Sequence, residues 1–142
     1  MKAKGQAGKR YGHTYRAKPQ ADEHGQYDSI AEQERYHELL LLQRGNHVSE
    51  LTLHPGKVVL IEKTKDAPEI AFRPDYSYME DGRLVYEDCK PRPMNARENL
   101  IFKLWRHFGP GPIRITKRDS KKKWYIDKTI RGMKFTSETV GE

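Results

Sequence analysis

The sequence predicts a single α/β (α+β) domain, with a central mixed sheet of about four to five strands flanked by helices in the order α-β-β-β-β-α-β. Three observations lead there. The chain has 142 residues, enough for one such domain and too few for two. Two segments with helical spacing each begin behind a capping residue and stop at a glycine. Between them lie strand-prone runs, and within the last of these Asp81-Gly82 is the strongest hairpin signal in the chain.

Residues 1–20 are rich in Gly, Lys and Tyr without a clear period and read as a basic N-terminal arm, with a short strand conceivable around Tyr11–Arg16. The core is expected over residues 21–117. Asp28 or Ser29 caps a first helix, IAEQERYHELLLLQR, which Gly45 ends. At about 100° per residue, Glu32, Tyr36, Leu39, Leu40 and Gln43 share one stripe, with Arg35 and Leu42 at its margins. Glu34 and Glu38 point the other way and read as solvated surface. Glu32 therefore begins the core-facing stripe, where a carboxylate without a partner is uncommon. A dipole-stabilising Glu near the helix N-terminus is the plainer account of it.

Residues 48–63 read as two short strands broken at His54-Pro55-Gly56. The second, Lys57–Lys63, is apolar enough at its middle to be placed centrally in the sheet. After a polar loop, Glu69–Met79 and Arg83–Lys90 pair as a hairpin, and Pro91-Arg92-Pro93 stops the second strand. Asn95 caps the second helix, which runs to about His107. Ala96, Leu100, Ile101, Leu104, Trp105 and Phe108 give it an apolar face read wholly as core. Residues 112–117 (PIRITK) form a last strand, parallel to its neighbour after the helical crossover. Residues 118–142 read as a basic C-terminal tail in which Lys and Arg alternate with Trp124, Tyr125 and Phe135.

Composition narrows the function. Only 35% of residues are hydrophobic, which implies a modest core with polar tails. No apolar run approaches the roughly 18 residues of a membrane span, so no membrane partner is expected. The basic N-terminus lacks the hydrophobic stretch of a signal peptide. Cys89 is the sole cysteine, which excludes an intramolecular disulfide and fits a reducing cytoplasm. The net charge of +7 is segregated. Residues 1–20 hold six Lys or Arg and no acid; residues 22–90 hold eight against fifteen Asp or Glu; residues 103–134 hold eleven against two. An acidic centre between basic flanks suits a metal site in a protein that grips a polyanion. Basic tails that merely keep a small domain soluble are the alternative.

The acidic centre can be placed by register. If Asp81 and Gly82 are the central residues of a primed turn, Glu80 faces Arg83, and the pairing steps outward until Asp75 faces Asp88. Like charges so opposed destabilise, with Cβ atoms about 4.5–5.5 Å apart. Lys90 follows on the same face. Two carboxylates and an ammonium together most simply serve a divalent cation. Glu87 faces the other side of the strand and is not expected to be a ligand. His13, His24, His37, His47, His54 and His107 show no ligand spacing, which argues against zinc.

Helix, strands, an Asp-bearing strand, a D-x-K strand, helix and strand, with Glu32, Pro74-Asp75 and Asp88-Cys89-Lys90, together resemble the PD-(D/E)xK nuclease superfamily. More closely, YDSIAEQERYHELLLL followed by FRPDYSY and VYEDCK is similar to a family of short phage and prophage proteins of that superfamily, Holliday-junction-resolvase-like endonucleases. The resemblance covers roughly residues 10–117 and leaves out the C-terminal tail. A second D-x-K triplet, Asp119-Ser120-Lys121, lies in a charge run after the expected end of the fold and is set aside. Asp88 stands where Glu is commoner, and its shorter arm would draw a metal toward the sheet.

The resemblance implies a restriction-endonuclease-like core with Glu32, Asp75, Asp88 and Lys90 as catalytic residues. Asp75 and Asp88 would hold Mg²⁺, with Mn²⁺ able to substitute, helped by the Cys89 backbone carbonyl and by Glu32 directly or through water. Bound metal lowers the pKa of water and acts as a Lewis acid on phosphate. Lys90 would orient or deprotonate the attacking water or stabilise the transition state. Lys9, Arg10, Arg16, Lys18, Arg73, Arg92, Lys121, Lys122, Lys123 and Trp124 are the expected nucleic-acid contacts. The expected activity is a phage-type, Mg²⁺-dependent DNA endonuclease of the host cytoplasm. Its substrate would be branched or Holliday-junction DNA, and a homodimer would be needed for resolution. The alternative is a non-catalytic nucleic-acid-binding accessory protein of phage replication or packaging.

Overall fold

The computed structural model of the protein describes residues 19–132. Lys9, Arg10, Arg16, Lys18 and the strand expected near residues 11–16 lie outside them, as does Phe135. The first elements of the described residues are a small hairpin, β1 (Gln20–Asp22) and β2 (Gly25–Tyr27), followed by helix α1 (Ile30–Arg44). Ser29 caps α1, its hydroxyl accepting from the Glu32 N–H at 3.1 Å, and Gly45 closes it. Such an N-cap is worth about 1 kcal/mol.

The central sheet has five strands in the spatial order β3 (Ser49–Leu53), β6 (Tyr76–Glu80), β7 (Arg83–Cys89), β8 (Ile113–Arg118), β9 (Trp124–Ile130). All neighbours are antiparallel except β7 and β8, which are parallel and joined by helix α2 (Ala96–Phe108). Among the described residues the fold is thus α+β, with a mixed sheet and two helices. Among the described residues, no helix is long and apolar enough to cross a membrane.

Alternation along the strands divides the core in two. On one side Tyr76, Tyr78, Val85 and Cys89 pack with Tyr27, Ala31, Tyr36 and Leu39 of the β1–β2 hairpin and α1. On the other, Ile113, Ile115 and Tyr86 pack with Ile101, Phe102 and Trp105 of α2. That second cluster also takes in Leu60 and Phe72, which belong to a separate ribbon of β4 (Val58–Ile61) and β5 (Ile70–Phe72).

Four expectations change here. β4 is not central in the sheet; among the described residues it pairs only with β5, because the strand expected over Glu69–Met79 breaks at Arg73-Pro74-Asp75. Pro74 has no N–H for a ladder, so the chain leaves one ribbon there and enters the main sheet. The stretch from residue 118 does not begin a tail. It turns through Asp119–Lys123 and returns as β9, the fifth strand, paired along β8 from Arg118–Trp124 to Ile113–Ile130. Residues 20–22, read as the end of an arm and the start of the core, form β1. Finally, the apolar face of α2 is not wholly core: Leu100 and Phe108 are 57% and 46% exposed, while Phe102, outside the expected stripe, is buried.

Candidate metal centre

The Asp81-Gly82 turn sets the site. Both residues have positive φ, 54° and 77°, as a type I′ turn requires. Pairing runs Glu80–Arg83, Met79–Leu84, Tyr78–Val85, Ser77–Tyr86 and Tyr76–Glu87, the register the turn predicts. One step further, beyond the end of β6, the Asp75 N–H donates to Asp88 Oδ1 at 3.2 Å, and the Cys89 N–H donates to Asp75 Oδ2 at 2.8 Å. The two aspartates therefore meet at the strand ends. At Cys89 the observed contact with Asp75 is made by the N–H.

Glu32 reaches this point from α1. It is 3% exposed; its Oε1 accepts from the Asp28 N–H at 3.0 Å and its Oε2 lies 2.6 Å from His54 Nε2. Tyr76, beside Asp75 in the chain, donates its hydroxyl to the Glu32 carbonyl at 2.7 Å and ties the helix to the sheet. His54 directly follows β3, and its N–H donates to the Asp75 carbonyl at 2.8 Å. One donor atom each from Asp28, Glu32, His54 and Asp75 lies within 4.8 Å of all the others. Above them opens a cavity of about 310 Å³ lined by Asp28, His54, Gly56, Arg73, Pro74 and Asp75.

Asp88 is not one of these four and meets Asp75 through the Asp75 N–H. It is 2% exposed; its Oδ2 is ion-paired with Lys90 Nζ at 2.9 Å, and its Oδ1 accepts from the Asp75 N–H. Lys90 is shared with Glu98 of α2, also at 2.9 Å, and Arg92 pairs with the same carboxylate. Glu98 completes the α2 capping box with Asn95. One residue thus starts the helix and holds the lysine.

Charge in this cluster is strained. Burial, and then the Asp88 and Glu32 charges, push the Asp75 carboxyl well above its ordinary range. Burial raises Asp88 too, against the pull of Lys90. Burial also raises Glu32, against hydrogen bonds from Asp28 and His54. Burial works against the Lys90 charge, but Asp88 and Glu98 outweigh it and hold the ammonium above its usual range. Three neighbouring carboxylates that resist ionisation beside an open cavity are what a cation would relieve. With an imidazole beside them, the donor set fits a divalent ion.

Of the expected site residues, Glu32 and Asp88 each lie against Asp75, and Lys90 pairs with Asp88. Three further residues join them: Asp28, expected only as a cap; His54, whose approach depends on a tertiary turn and not on spacing; and Glu98, for which the sequence predicts no role. The weak signal for His54 was the His-Pro-Gly break, which puts a ligand type at a strand end. Glu87, expected to face the other side of the strand, is fully buried on the opposite face. It accepts from Arg35 Nε (2.6 Å), Tyr78 (2.6 Å) and Thr116 (2.9 Å).

Of the expected nucleic-acid contacts, Arg73 is exposed on the cavity rim and Arg92 is exposed but paired with Glu98. Lys121, Lys122 and Lys123 are exposed in the β8–β9 turn, where Asp119 accepts from the Lys121 and Lys123 N–H groups. The triplet Asp119-Ser120-Lys121 is therefore a turn. Trp124 departs from expectation: it is half-buried against the α1-side core, with the Arg118 guanidinium 5.2 Å from its ring centroid. That ring face is already stacked.

Residues 12–108 match the family described as "Protein of unknown function (DUF1064)", and the chain belongs to that family. No curated protein and no solved structure matches the chain.

Proposed function

We propose that this DUF1064 protein is a divalent-cation-dependent endonuclease of the PD-(D/E)xK kind, acting on branched or junction DNA. The observation that carries the reading is the meeting of Asp75, Asp88 and Lys90 at the open end of one register-locked hairpin, with Glu32 brought to them by α1. A bound divalent ion would supply a nucleophilic water and Lewis acidity at the phosphate. Asp75 and Glu32 would hold it, with Asp88 close by. Lys90, kept protonated between Asp88 and Glu98, serves as a cation facing the transition-state charge and is poorly suited to be the base. Arg73 on the rim is placed to meet a phosphate. The basic β8–β9 turn offers sequence-independent contact with the backbone, which favours recognition of shape over bases.

The test is a panel of linear, flapped, single-stranded and four-way-junction DNA incubated with Mg²⁺, Mn²⁺ or EDTA. Metal-dependent cleavage, strongest on a branched substrate, is expected. Asp75→Ala and Lys90→Ala should each lower it by about 10³-fold or more while DNA binding persists. DNA binding without a metal-dependent product on any substrate would support a non-catalytic nucleic-acid-binding protein instead.

A further inference from the structure

We propose that His54 is a direct ligand of the bound cation, and that the centre therefore takes a first-row transition ion, Mn²⁺, in preference to Mg²⁺. The proposal rests on the metal-centre reading above and goes beyond it in naming a nitrogen ligand and the class of metal.

The placement of His54 is built in. The chain leaves β3 with His54 at φ 54°, a left-handed conformation that few non-glycine residues adopt. The His54 N–H is bonded to the Asp75 carbonyl, so the strand end carrying the imidazole is fastened to the strand end carrying the carboxylate. The ring then points at Glu32, with Nε2 only 2.6 Å from Oε2. A proton between those two atoms occupies the line that a cation would take over, with both atoms already converged as donors.

A simple ion pair between Glu32 and His54 would need nothing more. Here Asp28 and Asp75 also bring donor atoms within the same 4.8 Å, and all but Glu32 line the cavity of about 310 Å³. That volume accommodates an ion with water still attached. Nearby, Lys90 is shared between Asp88 and Glu98, so one ammonium answers two carboxylates at this strand end.

The donor types decide the metal. Mg²⁺ favours oxygen ligands in a near-ideal octahedron and keeps several waters. Imidazole nitrogen contributes little to it and much more to first-row transition ions. Three carboxylates with one histidine keep the oxygen-rich character that Mn²⁺ accepts, while the nitrogen tilts the choice away from Mg²⁺.

The full chain, stripped with EDTA, is titrated with Mn²⁺ and followed by the EPR signal of the free ion. Mg²⁺ is added as a competitor, and the bound complex is examined by pulsed EPR for ¹⁴N modulation. The wild type is expected to bind Mn²⁺ about tenfold or more tighter than Mg²⁺ and to show nitrogen modulation. His54→Asn, chosen because Asn tolerates the left-handed backbone, should lose the modulation and most of the Mn²⁺ preference, with Mg²⁺ affinity changed less than about threefold. Mn²⁺ bound to the wild type without nitrogen modulation, or modulation surviving in His54→Asn, would overturn the histidine ligand and leave a carboxylate centre standing. Failure of the wild type to bind either ion would overturn both the ligand and the metal-centre reading.

Discussion

Glu87 and Asp88 are consecutive, both buried, and face opposite sides of β7, yet their surroundings could hardly differ more. Glu87, at 0% exposure, has its charge answered on every side: Arg35 meets it through two nitrogens, and Tyr78 and Thr116 each donate a hydroxyl. Those partners come from α1, β6 and β8, so one carboxylate ties four elements together. Asp88 has an ion pair to a lysine it shares with Glu98, and a backbone hydrogen bond from the Asp75 N–H. Burial of the first carboxylate is complete as it stands. The second is unfinished, and the aspartate across from it more so. The difference separates a carboxylate that holds the fold from one that the fold holds in readiness.

The comparison can be broken most directly by removing the charges in turn. Glu87→Ala leaves the Arg35 guanidinium, which is 7% exposed, with Glu38 as its carboxylate partner, and takes the Glu87 acceptor from Tyr78 and Thr116. A loss of about 3–5 kcal/mol in urea unfolding is expected. Asp88→Asn is expected to leave stability unchanged or slightly higher, because burial already disfavours the Asp88 charge and Lys90 keeps Glu98. Equal destabilisation by the two variants would erase the distinction.

A pH series sharpens the same contrast. The Asp75 carboxyl is raised in the folded state by burial and by Asp88 and Glu32, so the native protein holds a proton there that the unfolded chain releases first. The stabilisation is full below the unfolded carboxylate range and is lost as pH rises through the folded value. Metal-free protein is therefore expected to lose stability as pH rises from about 4, the ordinary aspartate range. Bound divalent ion should flatten or reverse that slope, and Asp75→Asn should remove its share of it. A metal-free protein whose Tm climbs steadily over that range would contradict the account of Asp75.

What was legible from the sequence follows the range of the interactions. Caps and turns are local, so Ser29, Gly45, Asn95 and Asp81-Gly82 announced themselves, and the turn register carried Asp75 to Asp88 across thirteen residues of chain. Solvent exposure hid β9: every residue from Tyr125 to Thr129 is exposed, so its composition resembled a tail although it closes the sheet. β4 misled for the opposite reason. A short apolar run is the same whether it fills the centre of a sheet or lies as a ribbon on a helix, and only the break at Pro74 separates the two. Asp28, His54 and Glu98 join the site through contacts between elements, for which a linear spacing rule has no signal.

The smallest expected effect tests the turn on which the register depends. At Gly82 a Cβ would meet nothing within 4 Å, so Gly82→Ala adds no clash. Its cost is conformational, since φ of 77° lies in the left-handed region that an L side chain disfavours by about 1–2 kcal/mol. Thermal unfolding should show a loss of that size. The two aspartates should stay opposed, because five successive cross-strand pairs between the turn and Asp75 fix the alignment independently of it. Metal binding should accordingly remain within about threefold of wild type, a change worth less than 1 kcal/mol. A larger loss of metal affinity than of stability would mean that the turn, and not the ladder, holds Asp75 against Asp88.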